Sequence, residues 1–527
     1  MFKPDDSFHI YDTTLRDGAQ QEGLNLSVHD KLNIARHLDD LGVGFIEGGW
    51  PGANPKDTEF FQRAKKEINF KNAQFVAFGA TRRPEVKAED DQLLQALANS
   101  GAPVVTLVAK SHDRHVDLAL KTTLAENLKM IEDSVKFLIK NGQRVFLDAE
   151  HFFDGYISNR GYALDVISAA MNSGASLVAL CDTNGGMLPD QLTQIVDDVY
   201  RTTGSRLGIH CHNDTGCAVA NSIAAVSAGV THVQGTLNGY GERTGNADLV
   251  TIVANLELKK KKLVLPEGKL QEAFRISHAV AEVTNVAPSM RQPYVGLSAF
   301  AHKAGLHASA IKVDPAMYQH EDPSTVGNDM RMLVSDMAGR ASVELKSKSL
   351  GIDLSTNKEV VSKVVDKVKE LEARGFTFEA ADASFELLLR EEIDGKKSEF
   401  FKVSRWEITV AKDETGKVTS RATVAIQANN EVMVSEGEGN GPVNALDTAL
   451  RRGLERIYPQ LAKLELVDYK VRILEGRLGT GAVTRVLVET SDGQAHWNTL
   501  GVHENVIAAS AMALEDAVTY GLLRQAQ

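Results

Sequence analysis

Cysteine is scarce: Cys181, Cys211 and Cys217 are the only three in a chain of 527 residues. That is too few for a disulfide framework, and a reducing compartment is expected. No stretch approaches the roughly 20 apolar residues that a membrane helix needs. The opening Met1-Phe2-Lys3-Pro4-Asp5-Asp6 lacks the apolar core of a secretory signal. Basic residues are also in the minority. The 58 Lys and Arg against 70 Asp and Glu leave a formal charge of −12, which argues against general affinity for nucleic acid or an anionic membrane. With 43% apolar and 24% charged residues, the composition is that of a soluble globular protein, and the scarce cysteines place the expectation in the cytoplasm. The length predicts two or three domains.

The first half carries eight short apolar runs, each followed by a helical pattern. They are Phe8–Tyr11, Gly44–Glu47, Gln74–Phe78, Val104–Val108, Arg144–Asp148, Ser176–Cys181, Arg206–Cys211 and Thr231–Gly235. Their near-continuous hydrophobicity suits strands buried on both faces. Between them, Ser27 heads an amphipathic run closed by Gly42, and Thr123 with Glu126 has capping-box spacing. Eight strand–helix alternations predict a (β/α)₈ TIM barrel of the α/β class; a doubly wound open sheet is the alternative.

In such a barrel, function sits where the strands end. Arg16 and Asp17 follow the first run, Glu47 ends the second and Glu150 follows the fifth. Thr183 follows the sixth, His210 and His212 close the seventh, and Gly239–Asn246 follows the eighth. On an extended strand the imidazoles of His210-Cys211-His212 face one way and Cys211 the other. Together with the Asp17 carboxylate they make a mixed N/O set suited to Mn²⁺, Co²⁺, Zn²⁺ or Mg²⁺. Two hydrogen-bonded core histidines are the bland alternative, and a non-haem iron oxygenase triad is another. Cys181 and Cys217 read as packed apolar residues. The run Lys259–Lys262 reads as a solvated surface, with contact to CoA phosphates as the sharper alternative.

Three signatures, in order, resemble one family. Leu15-Arg16-Asp17-Gly18-Ala19-Gln20, His210-Cys211-His212-Asn213-Asp214-Thr215-Gly216 and Gly239-Tyr240-Gly241-Glu242-Arg243-Thr244-Gly245-Asn246 are similar to those of the isopropylmalate, homocitrate and citramalate synthases. The resemblance implies that Asp17, His210, His212 and Asn246 hold a divalent metal, which a 2-oxo acid chelates. It implies that Arg16 polarises the keto oxygen and Thr183 grips the substrate carboxylate. For removing a proton from the methyl group of acetyl-CoA it points to Glu150, with His307 and Tyr318 reaching in from the segment after the barrel. Whether Glu150 or His307 takes the proton is left open. One departure is Glu47-Gly48-Gly49-Trp50-Pro51 after the second strand. With Asp148-Ala149-Glu150-His151-Phe152-Phe153, it resembles the citramalate-forming branch, which uses pyruvate. Trp50, Phe152 or Phe153 would then exclude bulkier 2-oxo acids. An isopropylmalate-forming enzyme, a carbon–carbon lyase on the same barrel and a degenerate amino-acid sensor are the alternatives.

The expected domains are a catalytic barrel over residues 1–270, a helical linker over 271–395 and an α+β segment over 396–527. The last holds two strand-then-helix units of similar length: strands Phe400–Val410 and Arg421–Ala428 before the helix Val443–Tyr458, and strands Lys470–Leu474 and Thr484–Glu489 before the helix Ile507–Leu523. Each has a glycine-rich turn able to take an anion at the helix start. By resemblance it is a regulatory domain binding an end-product amino acid, isoleucine for the citramalate branch. The linker resembles the family's, which covers the active face of a partner chain's barrel and so implies a homodimer; a lid over its own barrel is the alternative.

Overall fold

The computed structural model describes residues 6–335, 337–474 and 481–525. They form two compact units, Met1–Phe300 with Glu321–Asp329, and Ala301–His320 with Met330–Gln527.

The first unit is built on parallel strands β1 (His9–Asp12), β2 (Phe45–Glu47), β3 (Gln74–Ala80), β4 (Val104–Lys110), β5 (Arg144–Glu150), β6 (Leu177–Asp182), β7 (Leu207–Cys211) and β8 (His232–Gly235). They pair in chain order, and β8 returns to β1 with His9 opposite His232 and Asp12 opposite Gly235, so the sheet is a closed barrel rather than an open one. Helices cover the outside, which is why the strands are buried on both faces. The helix Val28–Leu41 starts at a capping box of Ser27 and Asp30 and ends at Gly42, whose φ of 92° favours glycine. At the helix Leu124–Lys140, Thr123 accepts from the Glu126 amide, but the Glu126 carboxylate turns to Arg82 and the Glu85 amide instead of back to Thr123. The helix Ala273–Thr284 packs on Val28–Leu41 and buries Ile276 and Val280 in the barrel core.

Inside the barrel, Tyr11, Phe45, Val76, Val104, Phe146 and Leu177 form an apolar plug. Toward the strand N-termini, His9 and His232 meet Nδ1 to Nδ1 at 3.2 Å, and His9 Nε2 reaches Asp6 at 3.0 Å. Arg144 and Arg206 close that end on Asp6. The polar groups at the other end therefore stand on a packed floor.

In the second unit, Arg340–Ser349, Lys358–Ala373 and Asp382–Asp394 are helices sharing a core that includes Val343, Val361, Val364 and Phe385. Two antiparallel three-stranded sheets follow. One is Lys402–Lys412, Val418–Ala428 and Glu431–Gly439, then the helix Pro442–Leu454. The other is Glu465–Ile473, Thr484–Ser491 and His496–His503, then the helix Val506–Gln525. Each repeat has one strand more than the sequence pattern shows, because each glycine-rich segment begins inside a strand, Gly437–Gly439 in one and Gly501–His503 in the other. A Cβ on Gly437 would lie 2.4 Å from the Ala449 nitrogen, and one on Gly501 would lie 2.0 Å from the Ala509 oxygen. These glycines let each helix lie close on its sheet. The helix Val506–Gln525 does have the length and composition to cross a membrane, unlike the expectation from composition. It buries Ala509, Leu514, Val518 and Leu522 in the core of the sheet repeats.

The histidine pair under the plug predicts a pH effect. Burial, with Arg206 adding to it, pushes His9 down to about 4; burial and His9 push His232 well below its ordinary range. The unfolded chain then binds more protons below about 6.5, so this stability is complete above that pH and drains away as pH falls toward 4. His9 alone accounts for about 3 kcal/mol at most. The buried Asp12 and Asp148 titrate in the opposite sense, so the test is a difference. Urea midpoints at pH 7 and pH 5 are expected to fall further for the wild type than for His232→Gln; equal falls would contradict it.

Candidate active site

The chemistry gathers at the C-terminal ends of the strands. After β1 the chain turns tightly: the Thr14 amide and hydroxyl donate to Asp12 at 2.9 and 2.8 Å, and the Gly18 amide donates to the Thr13 carbonyl. This turn delivers Arg16 and Asp17 to the barrel mouth. His210 ends β7 and His212 follows it, both facing inward, with their Nε2 atoms 3.2 Å apart. Asp17 Oδ2 lies 3.2 Å from His210 Nε2 and 3.8 Å from His212 Nε2. Ligand atoms of these three buried side chains all lie within 4.8 Å of one another.

Asn246 arrives by backbone pairing, since His212 and Asn246 form an isolated antiparallel bridge. Its Nδ2 donates to the Tyr240 carbonyl at 3.0 Å, leaving Oδ1 buried without a hydrogen-bond partner. The loop tolerates this only with glycine at 241, where a Cβ would sit 2.3 Å from Asn246 Nδ2. Arg243 ties the loop down through Asp214 at 2.8 and 2.9 Å and the Thr183 carbonyl at 2.8 Å. Two imidazoles and a carboxylate that already converge, with an orphaned buried amide oxygen on the segment bridged to His212, fit a divalent cation with mixed N/O ligands.

The electrostatics agree. Burial pushes the Asp17 carboxyl up, but Arg16 and the hydrogen bond to His210 outweigh it and hold it well below the usual range. Burial and then His210 push His212 down to about 4, so its imidazole is neutral at pH 7. Burial lowers His210, but Asp17 outweighs this and raises it. Arg16 itself donates through Nε to Glu47 Oε1 at 2.5 Å and lies with its guanidinium carbon 3.8 Å from the centre of the Phe78 ring. The second Glu47 oxygen accepts from the Tyr11 hydroxyl at 2.5 Å.

A cavity of about 520 Å³ opens over this cluster, and Arg16, Asp17, Glu150, Thr183, His210 and His212 all line it. Thr183 Oγ1 accepts from the His151 amide at 2.9 Å, so its own hydrogen remains for a ligand. His151 makes that contact from the left-handed region, at φ 56°. His307 and Tyr318 belong to the second unit, where their rings stack at 4.0 Å. Of the aromatic residues named as size filters, Trp50 lines the cavity, whereas Phe152 and Phe153 are fully buried core residues. Phe78 takes their place in the lining. Cys181 and Cys211 are buried, and burial first of all pushes both thiols well above their ordinary range.

Three further residues of the site carry no role from the sequence motifs. Glu47 and Asp148 stand in motifs quoted for the citramalate-forming branch, and Glu47 clamps Arg16. Asp148 sits in the cavity wall, pushed up to about 7 by burial and by Glu47. Lys110 ends β4 and pairs with Glu150. The signal for each was a charged residue at the end of a buried apolar strand.

Comparison with known proteins gives three family matches along the chain. Residues 7–280 match the HMGL-like model, residues 294–375 the homocitrate synthase post-HMGL domain-like model, and residues 379–522 the LeuA allosteric (dimerisation) domain. The chain is 65% identical to an (R)-citramalate synthase of Streptomyces coelicolor, covering 99% of this chain and 97% of that one. It is 49% identical to an (R)-citramalate synthase of Aquifex aeolicus, covering 98% of both. A 2-isopropylmalate synthase of Methanocaldococcus jannaschii is 30% identical, over 97% of this chain and 94% of that one.

A ligand that binds only the folded state stabilises it, by about 2.7 kcal/mol at a hundredfold excess over its dissociation constant. Adding Mn²⁺ is therefore expected to raise the melting temperature by about 5 °C. In His212→Ala the rise should vanish together with metal in the dialysed protein; an undiminished shift would remove His212 from the site.

Proposed function

The chain belongs to the citramalate synthase family, with isopropylmalate synthases as its more distant relatives, and from that premise we propose that it condenses acetyl-CoA with pyruvate to give citramalate and CoA, in isoleucine biosynthesis. The observation that carries the proposal is one cavity holding the Asp17, His210 and His212 cluster, the Arg16 guanidinium and the Thr183 hydroxyl. With 99% of the chain aligned to a synthase, the oxygenase reading loses its ground.

Asp17, His210, His212 and Asn246 would hold the divalent ion, one of Mn²⁺, Mg²⁺, Co²⁺ or Zn²⁺. When bound, it supplies Lewis-acid polarisation of a substrate oxygen. The protein's own groups do the rest. Arg16, held by Glu47, donates to the keto oxygen and stabilises the charge that builds there as the carbon–carbon bond forms. Thr183 gives its free hydrogen to the pyruvate carboxylate. Glu150 takes the proton from the acetyl methyl group, a role supported by its place in the cavity lining. His307 and Tyr318 keep the supporting roles that the family resemblance gives them for the acetyl half of the reaction. Water then cleaves the thioester and releases CoA.

Trp50 and Phe78, edge to face at 5.7 Å, form an aromatic wall beside Arg16 and are the proposed limit on substrate size. The barrel over 1–270, the linker over 271–395 and the regulatory segment over 396–527 remain the proposed functional division, in a cytoplasmic homodimer. A cavity of about 650 Å³ in the regulatory segment is lined by Asp447, Arg451 and Tyr469 beside Asn440–Asn444; Asp447 and Arg451 pair with each other at 2.8 Å, and this pair is the proposed seat for the zwitterion of isoleucine.

Purified protein given acetyl-CoA and a panel of 2-oxo acids, with CoA release followed by a thiol reagent, tests the substrate. Each added methylene is worth about 1–3 kcal/mol, so pyruvate should exceed 2-oxoisovalerate by at least about tenfold in kcat/KM. Faster turnover of 2-oxoisovalerate would reassign the enzyme to isopropylmalate formation. Trp50→Ala should narrow the gap between pyruvate and 2-oxobutyrate by about tenfold. Isoleucine added to the full-length enzyme should lower turnover; indifference to it would reject the effector.

A further inference from the structure

We propose that Lys110 is a catalytic residue of the condensation: its ammonium positions the Glu150 carboxylate before the acetyl C–H bond breaks, and supports the thioester enolate oxygen afterwards. This rests on Glu150 being the base.

The placement follows from the barrel. Lys110 is the last residue of β4, Glu150 is the last of β5, and they are register partners. Parallel pairing sends both side chains the same way, and Lys110 Nζ donates to Glu150 Oε2. Both line the catalytic cavity, at 27% and 25% exposure, so the pair is neither a solvated surface bridge nor a sealed core one. The residues of β4 before it are apolar or small except for Thr106, and none is exposed. An ammonium ending such a strand is not there for solubility. The other cations of the cavity are committed. Arg82 lies between Glu126 and Asp133, Arg83 is on Asp91, Arg243 is on Asp214, and Arg16 on Glu47 is aimed at the keto oxygen. Lys110 has three N–H donors, of which Glu150 takes one.

The chemistry needs a cation at this point. When Glu150 takes the methyl proton, the C–H bond breaks and an O–H bond forms on the carboxyl group. The C–H electron pair becomes the enolate double bond, and the negative charge moves from Glu150 to the thioester oxygen. In the next step that double bond supplies the pair for the new carbon–carbon bond, and the thioester carbonyl re-forms. One ammonium within reach of both oxygens stabilises the charge throughout the transfer without having to move far. Arg16 cannot serve both the enolate and the ketone oxygen. A purely structural ion pair at this exposure would contribute little to stability and nothing to proton removal.

The test uses the full-length metal-loaded enzyme as wild type, Lys110→Met and Lys110→Arg, with ordinary and methyl-trideuterated acetyl-CoA. Lys110→Met is expected to lose about 10²–10³ in kcat, with KM for pyruvate changed less than about threefold. Its deuterium effect on kcat should exceed about 2, because proton removal has become the slow step. Lys110→Arg, which keeps the charge, should recover at least about tenfold of the loss. Equal melting temperature and Mn²⁺ response certify folding; if Lys110→Met fails that check, Lys110→Gln is read in its place. Turnover within about fivefold of wild type, or a large loss with a deuterium effect near 1, overturns the proposal. A wild type that condenses acetyl-CoA with no 2-oxo acid would instead overturn the function on which it rests.

Discussion

A guanidinium set between two carboxylates organises the mouth of the barrel. Arg16 reaches Glu47 at 2.5 Å and Asp17 at 3.7 Å, and stands over the Phe78 ring. Removing such a charge from water costs several kcal/mol, and only close pairing offsets it. The arrangement returns that cost as chemistry. Asp17 stays ionised against its own burial and is ready to act as a ligand. Arg16 is held still by a carboxylate that is itself anchored through Tyr11 and Thr106 in the barrel interior. A donor fixed in advance does not have to reorganise as charge develops on a substrate.

The barrel separates two jobs along its axis. Tyr11 takes part in both, its ring in the apolar plug and its hydroxyl on Glu47. Beneath it lies a neutral histidine pair. Above it are the Asp17, His210 and His212 cluster, the raised carboxyl of Asp148 and the Lys110–Glu150 pair. Because the strands are parallel, all their C-terminal ends meet at one mouth, so residues more than 200 positions apart share a cavity.

The second unit solves a different problem with repeated material. Two sheets of three strands each carry one helix, and in both repeats a glycine in the third strand brings the helix onto the sheet. The glycine-rich segments therefore serve packing first. The apolar character of Val506–Gln525 has the same origin, since a helix laid on a sheet needs a wide apolar face.

The sequence alone determined the eightfold alternation, the three signatures and the co-facial histidines, because these are local: hydrophobic period and strand alternation act over a few residues. It also determined which family the chain resembles, and the citramalate synthase relatives support that reading. It did not reveal that Phe152 and Phe153 turn into the core while Phe78 turns out to the cavity, since an aromatic next to a motif looks the same in either orientation. It ran past the third strand of each C-terminal repeat, where glycine weakens the strand pattern. Only the closed barrel decided that Glu47 would clamp Arg16, that Asn246 would bridge to His212, and that Lys110 would meet Glu150. Those pairings depend on the register of neighbouring strands and loops, and register is set by closure of the whole sheet rather than by any one segment.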